Sequence, residues 1–186
     1  MAIKTFTSGE VLTASDTNTF LANSGLVFVK SDSITSGSSK EITAVFSSTY
    51  DNYRIVISNF ESNVAFGLNF TLGSSATGAN YFWSGVIVSY SNGAVSGEYG
   101  NNGSNFNTGI VGAGAKGGGV IEIQSPNRAL VTTLQAQATD GRTTGAGGRN
   151  NTGMLNNTTQ YTSFTLSVGG NTFVSCDVTV YGYRKP

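Results

Sequence analysis

The sequence contains no histidine, and this absence restricts which side chains could act as catalytic groups or metal ligands. Histidine is the side chain that most often serves as a general base or as a neutral metal ligand. Without it, no Ser-His-Asp triad can form from the 23 serines. The single cysteine, Cys176, excludes an internal disulfide and a Cys-rich zinc site. It alternates onto the same face as Val174, Val178 and Val180, which predicts a small buried side chain rather than a nucleophile. We expect no cofactor and no metal site.

Carboxylates are the remaining candidates for catalysis, because a pair of them could hydrolyse a glycosidic bond. The ten Asp and Glu residues fall mostly where strands turn or on outward faces, which is typical of turn-forming Asp and solvated Glu. We therefore expect that the protein is not an enzyme. A small polysaccharide depolymerase is the enzymatic alternative.

Aromatic and arginine side chains in glycine-rich stretches are the candidates for contact with a ligand or partner. Tyr99 and Phe106 could stack on sugar rings, with neighbouring Asn and Ser side chains as hydrogen-bonding partners. The alternative is that they are core residues. Arg142 and Arg149 could contact an acidic glycan or a carboxylate of a partner. For them the alternative is that they are solvated loop residues.

Charge and composition exclude several classes of partner. Ten Lys and Arg residues balance ten Asp and Glu residues, so the net charge is zero. Nucleic-acid binding needs basic residues that displace phosphate counterions, and anionic membrane surfaces attract basic clusters, so we expect neither partner. No run approaches the roughly 20 apolar residues of a membrane span, and we expect no membrane insertion. Gly, Ser, Thr and Asn provide 89 of the 186 residues, which predicts a surface solvated by neutral hydrogen-bonding groups.

Alternating apolar residues dominate from Leu26 onward and predict half-buried strands. No long amphipathic helix follows residue 25. About nine strands favour an all-β fold, an antiparallel two-sheet β-sandwich of the jelly-roll type. Two stretches rich in Gly and Asn, residues 91–119 and 139–159, are predicted to be long loops that bind something or are covered by a partner. The predicted strands are 26–30, 40–46, 52–60, 66–72, 81–90, 120–124, 128–138, 162–168 and 174–181.

Residues 1–25 differ from the rest of the chain. Thr13-Ala14-Ser15-Asp16 has the Thr-x-x-Asp form of a helix N-cap, and it predicts a short helix over residues 14–23. About ten residues of Thr- and Asn-rich helix are marginal in water by themselves, so this segment must pack on its own domain, on sister copies or on a larger scaffold. We therefore divide the chain into an attachment and oligomerisation segment, residues 1–25, and a β-sandwich domain, residues 26–186. The predicted assembly residues of the first segment are Val11, Leu12, Phe20 and Leu21.

Three segments of the sequence resemble segments of bacteriophage structural proteins. Residues 5–18, TFTSGEVLTASDTN, resemble a segment that recurs near the start of tail-fibre and related appendage proteins. Residues 46–57, FSSTYDNYRIVI, are similar to the beginning of a strand in phage virion β-domains, and residues 178–184, VTVYGYR, resemble the C-terminal strand of those domains. The resemblance covers 33 residues and implies no catalytic residue.

The resemblance implies a virion component on the exterior of the tail or of the capsid. In such proteins an N-terminal segment docks onto the particle or joins sister chains, often as a homotrimer, and a β-rich body projects outward. Other virion proteins are then the partners. The two long glycine-rich stretches are expected to contact a host-surface glycan or neighbouring subunits, since recognition usually lies in loops on a rigid scaffold. A capsid decoration or head-fibre protein with a purely structural role is the alternative.

Overall fold

The computed structural model describes residues 7–16, 25–74, 79–142 and 147–185. These residues form one helical turn and twelve β-strands, and the strands pair antiparallel within their sheets. The elements are α1 Ala14–Asp16, β1 Leu26–Ile34, β2 Ser39–Ile42, β3 Tyr50–Ser62, β4 Phe66–Leu72, β5 Tyr81–Ser89, β6 Val95–Gly103, β7 Phe106–Gly112, β8 Gly117–Gln124, β9 Thr132–Thr139, β10 Gly147–Leu155, β11 Phe164–Ser167 and β12 Phe173–Arg184.

The strands lie in two packed sheets. The large sheet has eight strands in the order β1-β12-β3-β8-β9-β10-β5-β6, and the small sheet has four in the order β2-β11-β4-β7. The first four strands of the large sheet and the whole small sheet have the strand order of a jelly roll, which is built from two Greek keys. The prediction of an all-β, antiparallel two-sheet sandwich of the jelly-roll type is confirmed.

Four strands, β9, β10, β5 and β6, continue the large sheet beyond the jelly roll, and we call them the extension. They come from two insertions, because β5 and β6 lie between β4 and β7 in the chain, while β9 and β10 lie between β8 and β11. The insertions meet where β10 pairs with β5. An Asn92-Gly93 turn closes the β5–β6 hairpin, with Gly93 at φ 69°, which glycine adopts without strain.

The prediction of long loops over residues 91–119 and 139–159 is wrong, and so is the count of nine strands. The first stretch contains β6, β7 and the start of β8, and the second contains β10. Glycines stand in β6 and β10 because Trp83 of β5 fills the space beside them. A Cβ on Gly100 would lie 2.1 Å from Trp83 Nε1, and one on Gly153 would lie 2.7 Å from Trp83 Cβ. These glycines are part of the packing, yet they erase the periodicity from which a strand is predicted.

The space between the sheets is filled by aromatic and branched aliphatic side chains. Phe70 of β4 and Phe164 of β11 stack with ring centroids 5.0 Å apart, and Phe46 meets Tyr53 edge to face at 4.8 Å. Each such pair contributes about 0.5–1.5 kcal/mol beyond the area that it buries. Cys176 lies in this core, as predicted, and burial raises the pKa of its thiol to about 12.

The described N-terminal residues begin a helix where the sequence predicts one. The helix starts at Ala14. Asp16 N donates a hydrogen bond to Thr13 Oγ1 at 3.1 Å, and Thr13 N donates to Asp16 Oδ2 at 3.1 Å. This reciprocal arrangement is a capping box, which satisfies backbone donors that the first helical turn leaves open.

The predicted assembly residues fall partly outside the part of the chain that the structure describes. Val11 and Leu12 are described and exposed. Phe20 and Leu21 lie outside the described residues, as does the end of the predicted helix. The division of the chain at residue 25 stays a prediction.

The chain joins and leaves the large sheet at one edge. β1 and β12 are neighbours, with Leu26 opposite Tyr183, and Arg184 N donates a hydrogen bond to Gly25 O. β6 forms the other edge of the same sheet, seven strand spacings away. The chain before residue 25 is therefore connected to the sandwich at the edge farthest from β6.

Candidate functional site

Alternate side chains of the large sheet point away from the small sheet, and we call this surface the outer face. Successive side chains of a strand point to opposite faces, and β9 shows this clearly. Its buried residues are Thr132, Leu134, Ala136 and Ala138, and its exposed residues are Thr133, Gln135, Gln137 and Thr139. The register of the strand pairs therefore fixes which residues are neighbours on the outer face.

One residue from each strand of the large sheet contributes to a row that crosses the outer face, and we call it the cross-strand row. Seven spacings of about 4.8 Å give the row a length of about 34 Å. Aromatic rings stand at both of its ends, and polar side chains lie between them. From β1 to β6 the row consists of Phe28, Tyr181, Arg54, Glu122, Gln135, Thr152, Ser84 and Tyr99.

The centre of the cross-strand row is an ion pair without net charge. Arg54 Nε donates to Glu122 Oε1 at 2.6 Å, and the Tyr183 hydroxyl donates to Glu122 Oε2 at 2.9 Å. The hydrogen bond to Glu122 raises the pKa of Arg54, while burial and the hydrogen bond to Glu122 raise the pKa of Tyr183. Arg54 therefore stays protonated and Tyr183 stays neutral at physiological pH, so the charges of Arg54 and Glu122 offset each other.

Free amide groups flank this ion pair. The side chains of Gln135, Gln137 and Asn150 make no hydrogen bond to any described residue. Gln137 lies directly opposite Asn150 on the neighbouring strand. Each primary amide offers two donor hydrogens and an acceptor oxygen. Together with the hydroxyl groups of the row, they form a surface that can both donate and accept hydrogen bonds.

Depressions of about 240 to 650 Å³ lie along the outer face. The largest, of about 650 Å³, is lined by Val86, Val88 and Gln137 among others. A second, of about 620 Å³, lies beside Trp83 and Tyr99 at the β6 end of the cross-strand row. A third, of about 420 Å³, surrounds the central ion pair. The outer face thus has room for a ligand along most of its width.

One carboxylate faces these depressions. Glu122 is the only Asp or Glu among the described residues that line them, whereas most glycosidases use two carboxyl groups about 5–9.5 Å apart. Within the described ranges, no group of three or more Cys, Asp or Glu side chains could hold a metal ion. The chemistry that the outer face offers is hydrogen bonding and ring stacking.

The structure separates the two aromatic residues that were predicted to contact a ligand. Tyr99 is 80% exposed on the outer face. Phe106 is fully buried, and its ring packs edge to face on Trp83 with centroids 6.5 Å apart. Phe106 is therefore a core residue, and its prediction as a ligand contact is corrected. Nearly every residue of β7 is buried, because this strand lies between β4 and the extension, and the alternation that would reveal a strand is lost.

Arg142 and Arg149 belong to a buried group of charges on the other side of the extension. We call Glu98, Asp140, Arg142 and Arg149 the ion cluster. Arg149 Nη1 lies 3.1 Å from Glu98 Oε2, and Arg149 Nη2 lies 3.2 Å from Asp140 Oδ2. Arg142 Nε donates to Asp140 Oδ1 at 2.8 Å. The Asp140 side chain has no exposed surface and that of Arg149 is 11% exposed. Both arginines are therefore paired within the chain; Arg149 lies in β10, whereas Arg142 lies in the segment after β9 with its side chain 30% exposed.

The ion cluster is balanced in charge and is joined to the small sheet. Burial by itself raises the pKa of Asp140, but the hydrogen bonds from the two arginines outweigh it, so the pKa of this carboxyl lies below its ordinary value. Asn151 Nδ2 donates to Glu98 Oε1 and to the backbone oxygen of Asn107 in β7, both at 2.9 Å. The cluster therefore connects three strands of the molecule, β6, β10 and β7.

Two glycines make room for these polar groups. A Cβ on Gly85 would lie 1.8 Å from Asn151 Oδ1, and one on Gly109, at φ 75°, would lie 2.9 Å from Arg149 Cβ. Sequence reasoning missed the ion cluster because its members come from β6, from β10 and from the segment after β9. The local signal was the spacing of Arg149 and Asn151, which places both side chains on one face of a strand.

Comparisons of the chain with protein-family models, with curated proteins and with solved structures found no match. Among the described residues, no helix has the length and apolar character needed to cross a membrane. The structural observation that bears on function is therefore the chemistry of the outer face.

Proposed function

We propose that the protein is a bacteriophage virion protein, a tail-fibre or appendage subunit that attaches to the particle through residues 1–25 and presents its outer face to the host surface. The observation that carries this proposal is the cross-strand row, where free hydrogen-bonding groups and exposed aromatic rings stand on a sheet. Sites built on strands are positioned more firmly than sites built on loops. In this function the protein binds and makes no covalent change.

Three features support the assignment to a virion. The segments 5–18, 46–57 and 178–184 resemble those of phage structural proteins. The jelly roll is a fold that recurs in viral capsid and lectin domains. The ten positive and ten negative side chains cancel, so contacts made by such a surface depend little on salt, because screening acts on charges.

Several copies of the outer face on one particle raise the overall affinity for the host surface. Single contacts through hydroxyl and amide groups are individually weak, since each replaces a hydrogen bond to water. A homotrimer presents three outer faces, and linked sites raise the overall affinity by about 10²–10⁴ without any new contact. This arrangement suits reversible adsorption of a particle to a cell.

Two variants, assembled into phage particles, test the two halves of the proposal. Deletion of residues 1–25 is expected to remove the protein from purified particles and to lower its mass in solution from trimer to monomer. Gln135→Ala is expected to leave incorporation and mass unchanged and to lower host adsorption, because Gln135 stands in the middle of the cross-strand row. Gln160→Ala is the matched control, since Gln160 is exposed and lines none of the five depressions on the outer face.

Attachment through residues 1–25 and recognition through the outer face can be contradicted separately. A shortened protein that keeps its mass and its place on the particle contradicts attachment through residues 1–25. Adsorption that Gln135→Ala leaves at the level of Gln160→Ala contradicts recognition through the outer face. Immunoblots of purified particles and counts of unadsorbed phage provide the two measurements.

A capsid decoration or head-fibre protein with a structural role is the second candidate, and β6 favours it. This edge strand is nine residues long, and its sequence contains no Lys, Arg or Pro. Its side chains Val95 and Tyr99 are exposed. Long sheet edges that lack lysine, arginine and proline are open to pairing with other chains. Antibody labelling seen by electron microscopy on the capsid, with normal adsorption by Gln135→Ala, would favour this candidate.

A further inference from the structure

We infer that the outer face binds an uncharged, extended polysaccharide that lies along the cross-strand row. This inference rests on the proposed recognition role of the outer face and adds the chemical class of its ligand. Three properties of the face carry it: the cations among its described lining residues are paired, the amides of Gln135, Gln137 and Asn150 are free, and its side chains repeat at the strand spacing.

The described part of the outer face offers no unpaired cation to an acidic sugar. Among the described residues that line the depressions, the cations are Arg54 and Arg149. Arg54 is held by Glu122, and Arg149 is held by Glu98 and Asp140. The carboxylate or sulfate of an acidic polysaccharide would have to compete with Glu122 for Arg54, and at Arg149 it would displace a buried carboxylate and leave it unpaired, which is unfavourable. An uncharged polymer does not disturb the pairs.

The free amides match the hydroxyl groups of a sugar. A sugar hydroxyl both donates and accepts, and so do the side-chain amides of Gln135, Gln137 and Asn150, which have no partner among the described residues. Tyr99 adds an exposed ring beside the depression of about 620 Å³, on which the apolar face of a pyranose can stack. A peptide strand instead binds a sheet through backbone hydrogen bonds at an edge, and the backbone groups of the central strands already pair with their neighbours.

The spacing of the strands favours a ligand that crosses them. Side chains repeat along the cross-strand row about every 4.8 Å, a distance close to the length that one pyranose ring adds to an extended chain. Depressions of about 620, 240 and 250 Å³ lead from β6 towards β12, and one of about 420 Å³ lies beside the last of them over the same strands. Several sugar rings therefore contact the face at once, each through few bonds.

Binding of the full-length protein to immobilised polysaccharides tests the inference. The neutral probes are dextran, mannan and a mixed-linkage β-glucan, and the acidic probes are alginate and polygalacturonate. We expect binding to at least one neutral probe, with equal affinity at low and high salt because no charge takes part. Gln135→Ala and Tyr99→Ala should each weaken this binding about tenfold, while Gln160→Ala leaves it unchanged. Circular dichroism checks that all three variants remain folded.

Three results overturn the inference: no binding to any neutral probe, binding to the acidic probes alone, and neutral binding that Gln135→Ala and Tyr99→Ala leave unchanged. These results are distinguishable from failure of the proposed function. If the outer face recognises the host through a protein, Gln135→Ala still lowers adsorption, yet no neutral probe binds. If the outer face has no recognition role, adsorption is unchanged as well.

Discussion

The substitution Arg149→Met tests whether the ion cluster holds the extension in place. Methionine keeps much of the apolar stem and removes the guanidinium that links Glu98 to Asp140. Removing one partner of a buried ion pair costs about 3–5 kcal/mol, because the other charge stays buried and unpaired. Arg142 still pairs with Asp140 in the variant, and this places the expected loss in the free energy of unfolding at the lower end, about 3 kcal/mol.

Unfolding in urea measures this loss. Trp83, the one tryptophan of the sequence, lies on β5, so its fluorescence reports on the extension while circular dichroism reports on the whole sandwich. With an m-value of about 2 kcal/mol per molar urea, a loss of about 3 kcal/mol lowers the midpoint by about 1.5 M. Arg54→Met is the matched control, since Arg54 is 40% exposed in its ion pair and its removal should cost about 1 kcal/mol or less.

The urea midpoints of Arg149→Met and Arg54→Met show whether the buried ion cluster stabilises the protein more than a surface ion pair does. If Arg149→Met lowers the midpoint no more than Arg54→Met, the buried charges contribute no more than a surface pair, and the reasoning is refuted. If fluorescence changes at lower urea than circular dichroism in Arg149→Met alone, the extension detaches before the jelly roll unfolds, which is the behaviour expected of a cluster that joins the two.

Other features of the structure lead to further expectations. Gly85→Ala should lower the thermal midpoint by several degrees, because the added Cβ would lie 1.8 Å from Asn151 Oδ1. This corresponds to a loss of about 2 kcal/mol or more in the free energy of unfolding. Gly170→Ala is the control: Gly170 has open space around it, so this substitution should leave the midpoint within about one degree or raise it slightly. Cys176, whose thiol pKa is raised to about 12 by burial, should react with Ellman's reagent at pH 8 only after denaturant is added, and rapid labelling of the native protein would contradict its place in the core. Because the pKa of Asp140 is lower in the folded protein than its ordinary value of 3.8, its contribution to stability is complete above that value and is lost as the pH falls through the folded pKa. Unfolding measured between about pH 5 and pH 2 should therefore depend less on pH in Asp140→Asn, and equal pH dependence in both proteins would contradict the pairing.

Strands whose alternate positions carry contrasting side chains could be predicted from the sequence. Phe66–Leu72 has the bounds that its apolar alternation predicts, and the alternation in β9 follows the same rule. β6 and β10 could not be predicted in this way, because their glycines Gly100 and Gly153 are dictated by Trp83 of β5, which is distant from both in the chain. Local periodicity therefore gave the fold class and the jelly-roll type, but not the width of the large sheet.

Of the residues in the cross-strand row, only the one at its β6 end could be predicted from the sequence as a contact residue. Tyr99 stands out as an aromatic residue among Gly, Asn and Ser, and its exposure agrees with that reasoning. Glu122 and Gln135 carry no such signal, since they become neighbours only through the register of β8 and β9. Arg149 was expected in a loop, because the carboxylates that neutralise it lie in segments that the local sequence does not connect.

β1 and β12 lie side by side at one edge of the large sheet. We call this edge the near flank and the β6 edge the far flank. Cargo fused ahead of residue 25 or behind residue 185 is attached at the near flank, where β1 lies about 34 Å and β12 about 29 Å from β6 and Tyr99. A fluorescent protein or an affinity tag joined at residue 25 or after residue 185 should therefore leave the far flank unobstructed. The same geometry suits the chain as a display scaffold, with new sequence grafted into the Asn92-Gly93 turn and immobilisation through the opposite side.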